Sequence, residues 1–216
     1  MSAPVLQKKK LHVFCLGEEM IMESIEEIQE RLQKVLKKKR YQHTLGVRYT
    51  AQAMAMRFGK DVCKAGYAGV LHDCAKYLSD KQMLAECKKH EISCSSTEKV
   101  QPSLLHAKLG AYYAEHIYDI SDKEILSAIR WHTTGKPEMT DFEKIIFIAD
   151  YIEPGRKPLP RIEQIRRASF ENLDEAMFLI LDNTLCYLKE EKETSDQIID
   201  ANSVEAYRYY EHMVSR

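Results

Sequence analysis

Apolar residues recur at every third or fourth position over much of this chain, as they do along amphipathic helices. One clear stripe consists of Ile21, Ile25, Ile28, Leu32 and Val35, with acidic and basic residues between them. The alternation of apolar and polar residues that marks half-buried strands is hard to find. The pattern therefore predicts an all-α protein, a bundle of helices.

Capping and turn residues divide this pattern into separate helices. The sequences SDKE (121–124) and TDFE (140–143) are capping boxes, which mark helix starts, and GRKPLP (155–160) breaks the chain. ISCSSTEKVQPS is the predicted loop. Helices are predicted over 21–35, 41–57, 79–90, 162–169, 173–190 and 203–213, and others begin near 61, 102, 121 and 140. The helix from 61 is expected to run into the sequence LHDCAK.

The length of 216 residues suits one domain. We expect that domain to cover residues 21–216, behind an N-terminal extension, 1–20, of unassigned role. The extension contains three lysines and a short apolar run but no small-residue cleavage site, so secretion is not expected. The six cysteines show no CxxC pair and no zinc-finger spacing, which is typical of reduced thiols in the cytoplasm.

Charge and hydropathy limit the possible partners. The 32 Lys and Arg residues balance the 33 Asp and Glu residues, so bulk charge favours no particular partner. No apolar run reaches the ~18 residues of a membrane span. The basic run 37–40 has no interleaved aromatic residues and is interpreted as a solvated helix end. The sequence thus indicates a protein that binds neither nucleic acid nor a membrane. A homodimer is compatible with the sequence, although no feature argues for one.

Six histidines and aspartates interrupt apolar faces on different predicted helices. They are His43, His72, Asp73, His106, His132 and Asp150. Any one of them can be a core polar residue satisfied by a nearby backbone or hydroxyl group. Six unrelated buried polar groups would each need a partner, whereas one shared partner explains them all. Imidazoles and carboxylates without thiolates are the ligands of Fe, Mn, Zn, Co or Ni. Four of these groups can fill one metal site, and the two spare histidines can start a second.

The order of a lone histidine, an adjacent His-Asp pair and a distant aspartate resembles the HD superfamily of metal-dependent phosphohydrolases. Five further stretches resemble the bacterial YqeK family over roughly residues 23 to 210: YQHTLGV, AGVLHDCAK, LLHAKLGA, IRWHTTGKPEMTDFEKIIFIADYIEPGR and IRRA. Members of that family are symmetrical diadenosine tetraphosphate hydrolases, which cut the central phosphate linkage to give two ADP. The resemblance implies an HD-domain bundle in which a metal-activated water or hydroxide attacks phosphorus.

The resemblance also implies roles for the six residues. The ligands of a firmly held metal would be His43, His72, Asp73 and Asp150. In that family the metal is usually iron, so the resemblance implies iron here, and Mn, Co, Ni or Zn would also suit these ligands. The same pattern places His106 and His132 at a second metal or against the phosphates. Asp73 is the expected bridging ligand, because a carboxylate has two usable oxygens and an imidazole has one usable nitrogen.

Cationic and aromatic residues complete the implied site. Arg156 would bind phosphate, and Tyr151 would lie near the nucleotide. Lys76 follows the His-Asp pair by about one helical turn, so its ammonium is expected to face the same cluster. Lys76, Arg48 and Lys136 are weaker candidates than Arg156 for binding phosphate. The expected catalytic set is Asp73, Lys76, His106, His132 and Arg156.

The chain departs from the family pattern in one segment. Relatives usually carry a His-Pro pair before the last helix, near the nucleotide, where this chain has Asp200-Ala201-Asn202-Ser203. The nucleotide contacts of that tail are therefore not carried over, whereas the metal residues are.

Two other functions compete with this interpretation. One is an HD phosphohydrolase that acts on mononucleotides, which a panel of substrates would separate. The other is a non-catalytic nucleotide-binding module, which would be expected to have lost metal-type residues that are all present here. Alarmone hydrolases of the superfamily carry Glu-Asp after the His-Asp pair, where this chain has CAKY, and the Gly-Tyr-Pro stretch of cyclic-dinucleotide phosphodiesterases is not found.

Overall fold

The computed structural model describes residues 23–192 and 199–215. These residues form eleven α-helices and one 3₁₀ helix and contain no strand, which confirms the predicted all-α class. The N-terminal extension, 1–20, and the predicted helix start near 21 lie outside the described residues. The helices are α1 (Ile25–Val35), α2 (Lys38–Arg57), α3 (Val62–Leu71), α4 (Asp80–Lys89), α5 (Ser96–Val100), the 3₁₀ helix (Pro102–Leu105), α6 (His106–His116), α7 (Lys123–Trp131), α8 (Asp141–Ile152), α9 (Ile162–Glu171), α10 (Leu173–Lys192) and α11 (Ala201–Val214).

Side-chain caps fix the starts of the two helices for which capping boxes were predicted. At α8, Thr140 and Glu143 form the reciprocal pair that the sequence predicts. At α7 the predicted box is wrong by one residue. The N-cap is Asp122 rather than Ser121, because the Asp122 carboxylate accepts from two N–H groups of the first turn.

Two further boundaries differ from the prediction. The short helix α5 lies inside the predicted loop, and its N-cap Ser95 forms a capping box with Glu98. The helix from 61 does not run through LHDCAK but ends at Leu71. Beyond it, the N–H of Cys74 bonds the carbonyl of Leu71, and that of Lys76 bonds the carbonyl of Asp73. This spacing of three residues belongs to tight turns, so the His-Asp pair lies on a turn at a helix end.

Helix α8 lies at the centre of the fold and packs against α2, α3, α7 and α10. It is apolar on nearly all sides, as expected for a helix surrounded by protein. Its buried apolar residues are Phe142, Ile145, Ile146, Phe147, Ile148, Ala149 and Ile152. None of the helices within the described ranges is long and apolar enough to cross a membrane.

Helices α2 and α3 cross so closely at Gly69 that a side chain would not fit. A Cβ atom at Gly69 would lie 2.7 Å from the Cα of Arg48. Since the obstacle is backbone, the helices would have to move apart. This crossing sets the distance between His43 on α2 and His72 at the end of α3.

We therefore expect Gly69→Ala to destabilise the protein by about 1–3 kcal/mol, the usual cost of overpacking, although alanine favours a helix by up to about 1 kcal/mol over glycine. Urea unfolding followed by circular dichroism measures the change. Gly66→Ala is the matched control on the same helix, because its Cβ meets only the side-chain ends of Gln52 and Ile25. Equal stability of the two variants would contradict the assigned backbone clash.

Candidate metal centre

The six predicted residues come from five parts of the fold and meet at one place. His43 lies within α2, His72 and Asp73 follow α3, His106 begins α6, His132 follows α7, and Asp150 lies in the last turn of α8. Four of them are almost fully buried, with exposed fractions of 0% for His72, 2% for Asp73, 3% for His106 and 2% for His132. Polar groups at this depth need partners.

The first group of ligand atoms surrounds Asp150. Its Oδ1 lies 2.9 Å from Nε2 of His43 and 3.9 Å from Nε2 of His72. The Oδ2 atom of Asp73 lies 3.4 Å from Nε2 of His72 and 3.8 Å from Nε2 of His43. The ligand atoms of His43, His72 and Asp150 all lie within 4.8 Å of one another, so they can hold one ion.

The second group lies on the other side of Asp73. The Nε2 atoms of His106 and His132 are 3.1 Å apart. The other carboxylate oxygen of Asp73, Oδ1, lies 3.3 Å from Nε2 of His106 and 3.8 Å from Nε2 of His132. Asp73 thus presents one oxygen to each histidine pair, which is the arrangement that a bridging carboxylate requires.

All four histidines of the cluster present the same ring nitrogen to it, because their Nδ1 atoms are bonded elsewhere. The Nδ1 atoms of His72, His106 and His132 donate to the carbonyls of Gly69, Ser103 and Ile129, at 2.7, 2.5 and 2.7 Å. Nδ1 of His43 donates to Oε1 of Glu153 at 3.0 Å. Carbonyl and carboxylate oxygens only accept, so Nδ1 carries the proton. The Nε2 lone pairs therefore face the cluster.

Two of these Nε2 atoms, in His43 and His72, are buried and have no hydrogen-bond partner among the described residues. An unsatisfied buried polar atom costs about 1–3 kcal/mol. The Nε2 lone pair of His43 faces a carboxylate oxygen of Asp150 at 2.9 Å, and two acceptors at that distance repel each other unless a cation lies between them. Nitrogen and oxygen donors without thiolates suit Fe, Mn, Zn, Co or Ni, so the residues fit a divalent metal.

The electrostatics of the histidines agree with this fit. Burial, together with the charge of Lys76, lowers the pKa of His106 to about 3, and burial, together with His72, lowers the pKa of His132 to about 4. Both rings are therefore neutral at pH 7, as metal ligands must be. Burial alone would lower the pKa of His72, but the charges of Asp73 and other acidic neighbours outweigh it and raise that pKa. The carboxylates thus favour a positive charge at this position, whether it is a proton on His72 or a bound cation.

Three cationic side chains border the cluster. Arg156 donates from Nη2 to Oδ1 of Asp150 at 2.6 Å and from Nε to the Asp150 carbonyl at 2.8 Å. Nζ of Lys76 lies 3.0 Å from Nδ1 and 3.4 Å from Nε2 of His106, and because Nδ1 carries the proton, only Nε2 can accept from the ammonium. Burial, with Arg40 close by, lowers the pKa of the Lys76 ammonium. The predicted positions of Arg156 and Lys76 at the cluster therefore agree with the structure.

The third cation, Arg40, was missed. Its Nη1 donates to Oδ2 of Asp73 at 2.7 Å, so the interpretation of 37–40 as a solvated helix end is wrong for Arg40, although the three lysines before it are exposed. Burial would raise the pKa of Asp73, but His72, His106 and Arg40 outweigh it and hold that pKa well below its usual value. The available signal was helical spacing, because Arg40 precedes His43 by three residues and so shares its face of α2.

Two more residues at the cluster carry no obvious sequence signal. Oγ1 of Thr133 lies 3.1 Å from Nε2 of His106 and 3.0 Å from Nε2 of His132. Glu153, the hydrogen-bond acceptor for His43, is 2% exposed. It lies 110 positions along the chain from that histidine, and only the packing of α8 against α2 brings the two together.

Other candidates lie elsewhere. Arg48 pairs with Glu26 at 3.7 Å, and Lys136 pairs with Glu143 at 3.0 Å. The hydroxyl of Tyr151 accepts a hydrogen bond from Asn183 at 2.5 Å. Within the described part of the chain, no hydrogen bond or ion pair joins Arg48, Lys136 or Tyr151 to the six residues of the cluster.

The segment that departs from the family pattern packs beside the loop after His132. Asp200 caps α11 through the N–H of Asn202, and Oγ of Ser203 donates to the carbonyl of Thr134 at 2.9 Å. Helix α11 therefore begins at Ala201, two residues before the predicted start.

Comparisons with known proteins agree with this geometry. A family model of the HD domain matches residues 40–155. A symmetrical bis(5'-nucleosyl)-tetraphosphatase of Halalkalibacterium halodurans is 42% identical over 149 residues, which cover 69% of this chain and 79% of that protein. One of Staphylococcus aureus is 34% identical over 195 residues, covering 89% of this chain and 97% of that protein.

A solved structure is also similar. It belongs to a Clostridium acetobutylicum protein described as a predicted HD superfamily hydrolase involved in NAD metabolism. The two folds agree with a TM-score of 0.83 at 35% identity, and the match covers 89% of this chain and 99% of that one. The resemblance predicted from the motifs is thereby confirmed: the chain belongs to the HD superfamily and, within it, to the YqeK family of proteins named symmetrical bis(5'-nucleosyl)-tetraphosphatases.

Proposed function

We propose that this protein is a metal-dependent phosphohydrolase that cleaves diadenosine tetraphosphate symmetrically to two ADP. The observation that carries the proposal is the convergence of four histidine Nε2 atoms on the two oxygens of Asp73, with Asp150 beside them. The relatives at 42% and 34% identity bear the name of that activity.

His43, His72, Asp73 and Asp150 would hold the first metal, which we propose to be iron. His106 and His132 would hold a second metal or bind the phosphates. A divalent metal in this position supplies a nucleophilic water at neutral pH and draws charge from phosphoryl oxygens. The fixed Nδ1 hydrogen bonds hold the four rings in place, so they need little rearrangement to bind.

The cationic side chains would bind the polyphosphate. The side chains of Arg156 and Arg40 are 34% and 36% exposed, so each guanidinium holds one carboxylate and still presents N–H groups to solvent. Guanidinium groups bind phosphate oxygens through paired hydrogen bonds and can stabilise charge that develops in the transition state. Lys76 is more deeply buried and would contribute a point charge beside His106.

The reaction consumes one water. Its oxygen forms a bond to one of the two inner phosphorus atoms, the bond from that phosphorus to the central bridging oxygen breaks, and this oxygen leaves with the other ADP. Tyr151 follows Asp150 directly and is held by Asn183, and we assign it to the nucleotide side of the site. The described cysteines are free thiols, which supports a cytoplasmic enzyme.

The test is incubation of metal-loaded protein with diadenosine tetraphosphate, with the products separated by anion exchange. We expect ADP as the sole nucleotide product, in two equivalents per substrate. ATP with AMP would overturn the symmetrical cleavage. No turnover by a protein that contains metal would favour the mononucleotide phosphohydrolase, and a mononucleotide panel in the same assay would identify it. A protein that binds nucleotide without metal or turnover would favour the non-catalytic module.

A further inference from the structure

His43 differs from the other three histidines of the cluster in how its Nδ1 is held. The other three donate to the backbone carbonyl three residues earlier, and each lies at a helix end or start: His72, His106 and His132. Helix ends leave carbonyls without intrahelical partners, so these rings find an acceptor locally. His43 lies inside the long helix α2, where carbonyl oxygens are used by the helix itself.

The acceptor for His43 is a charged group from another helix. Glu153 is the C-cap of α8, and its buried carboxylate accepts from Nδ1 of His43 through Oε1 and from the N–H of Gly155 through Oε2, at 3.0 and 2.6 Å. The side chain of Arg166, on α9, donates to the carbonyls of Ile152 and Glu153 at 3.2 and 3.5 Å. These bonds fix the end of α8 and thereby the position of the carboxylate.

Gly46 makes room for this carboxylate. It follows His43 by three residues and therefore lies on the same face of α2. A Cβ atom at Gly46 would lie 2.4 Å from Oε2 of Glu153, closer than any real contact. The carboxylate thus occupies the volume that any other residue at position 46 would fill.

We infer that Glu153 is a positioning residue that holds His43 as a metal ligand and that Gly46 is the residue that admits it. The inference rests on the proposed metal centre. A carboxylate on Nδ1 fixes the tautomer and the ring orientation and makes Nε2 a more basic ligand than a carbonyl acceptor does. The loss of such a partner typically lowers metal affinity by about 10–100-fold. Glu153 acts on the metal only through His43.

The test measures Co²⁺ affinity by competition with a chromophoric chelator, without substrate, on the wild type and on Glu153→Ala, Glu153→Gln, Gly46→Ala and the Gly46→Ala/Glu153→Ala double variant. We expect Glu153→Ala to bind Co²⁺ about 10–100-fold more weakly. Glu153→Gln keeps an acceptor oxygen without the charge, so a smaller loss is expected. Gly66→Ala, which crowds only the side-chain ends of Gln52 and Ile25, is the control and should bind as the wild type does.

The double variant separates positioning from general packing. If Gly46→Ala acts by displacing the Glu153 carboxylate, the two losses are not additive, and the double variant binds about as weakly as Glu153→Ala alone. Additive losses would overturn the role of Gly46. Wild-type Co²⁺ affinity in Glu153→Ala would overturn the role of Glu153. Urea unfolding of each metal-free variant identifies folded samples, and Glu153→Gln, the mildest change, keeps the test decisive if the others do not fold.

Because affinity is measured without substrate, the result is independent of the reaction. A wild type that binds Co²⁺ but does not hydrolyse diadenosine tetraphosphate would refute the proposed activity and leave the role of Glu153 intact. The Co²⁺ absorption spectrum adds a second readout. In Glu153→Ala a displaced His43 should change the ligand field, whereas the spectrum of Gly66→Ala should match that of the wild type.

Discussion

Replacing Asp73 with alanine is expected to remove both metal retention and hydrolysis. Its two oxygens face both histidine pairs, so the substitution takes a ligand from each group at once. It also leaves the Arg40 guanidinium without its carboxylate. A bound metal is worth several kcal/mol of transition-state stabilisation, so we expect activity to fall by about 10³-fold or more. Elemental analysis and the rate of ADP release, measured on one sample, give both quantities.

Lys76→Ala is the matched control for this variant. Lys76 borders the same cluster but offers no ligand atom to the proposed metal in its ammonium form, so the variant should keep its metal while its turnover falls. His72→Ala should behave as Asp73→Ala does. Full activity in a folded Asp73→Ala protein would refute the assignment of the cluster as the active site.

The helices and the six cluster residues were predictable because both leave a local signal. A helix that packs on one side repeats its apolar residues at a fixed spacing. A histidine or aspartate in such a face stands out because a buried polar group needs a partner. His132 and Asp150 each end an apolar run in the sequence and lie at helix ends in the structure. Their approach to Asp73 follows from the packing of α7 and α3 on α8.

The residues that were missed depend on contacts between distant segments. Arg40 belongs to a run of four basic residues, and its spacing from His43 was a weak signal because Lys39 lies on the same face of α2. In the sequence, Glu153 is indistinguishable from an ordinary polar residue after a helix, because its partner His43 is 110 positions away. The end of α3 at Leu71 was also missed, because LHDCAK contains no glycine or proline to mark a stop and the chain turns there through short-range backbone bonds.

The Arg156 side chain can pair with Asp150 and still present N–H groups to a phosphate. Arg156 forms an ion pair with Asp150, and its side chain remains partly exposed. Burial would raise the pKa of Asp150, but the close approach of His43 and the charge of Arg156 outweigh it and lower that pKa. Asp150 therefore stays ionised, as a ligand of the proposed metal must be, while Arg156 keeps N–H groups that could bind a phosphate.

Arg156→Gln is accordingly expected to lower kcat/KM for diadenosine tetraphosphate by about 10²–10³-fold, the usual cost of one lost hydrogen-bond donor to a developing oxyanion. Metal content should stay at the wild-type level, because all four proposed ligands of the first metal remain. Steady-state kinetics on metal-loaded protein, with the metal assayed in the same preparation, measures both.

Lys157→Gln is the matched control, since it removes one positive charge from the adjacent, exposed position and should leave kcat/KM close to the wild-type value. If Arg156→Gln lost the metal as well as the activity, its main role would be to position Asp150 rather than to bind phosphate. Unchanged kcat/KM would exclude Arg156 from both roles.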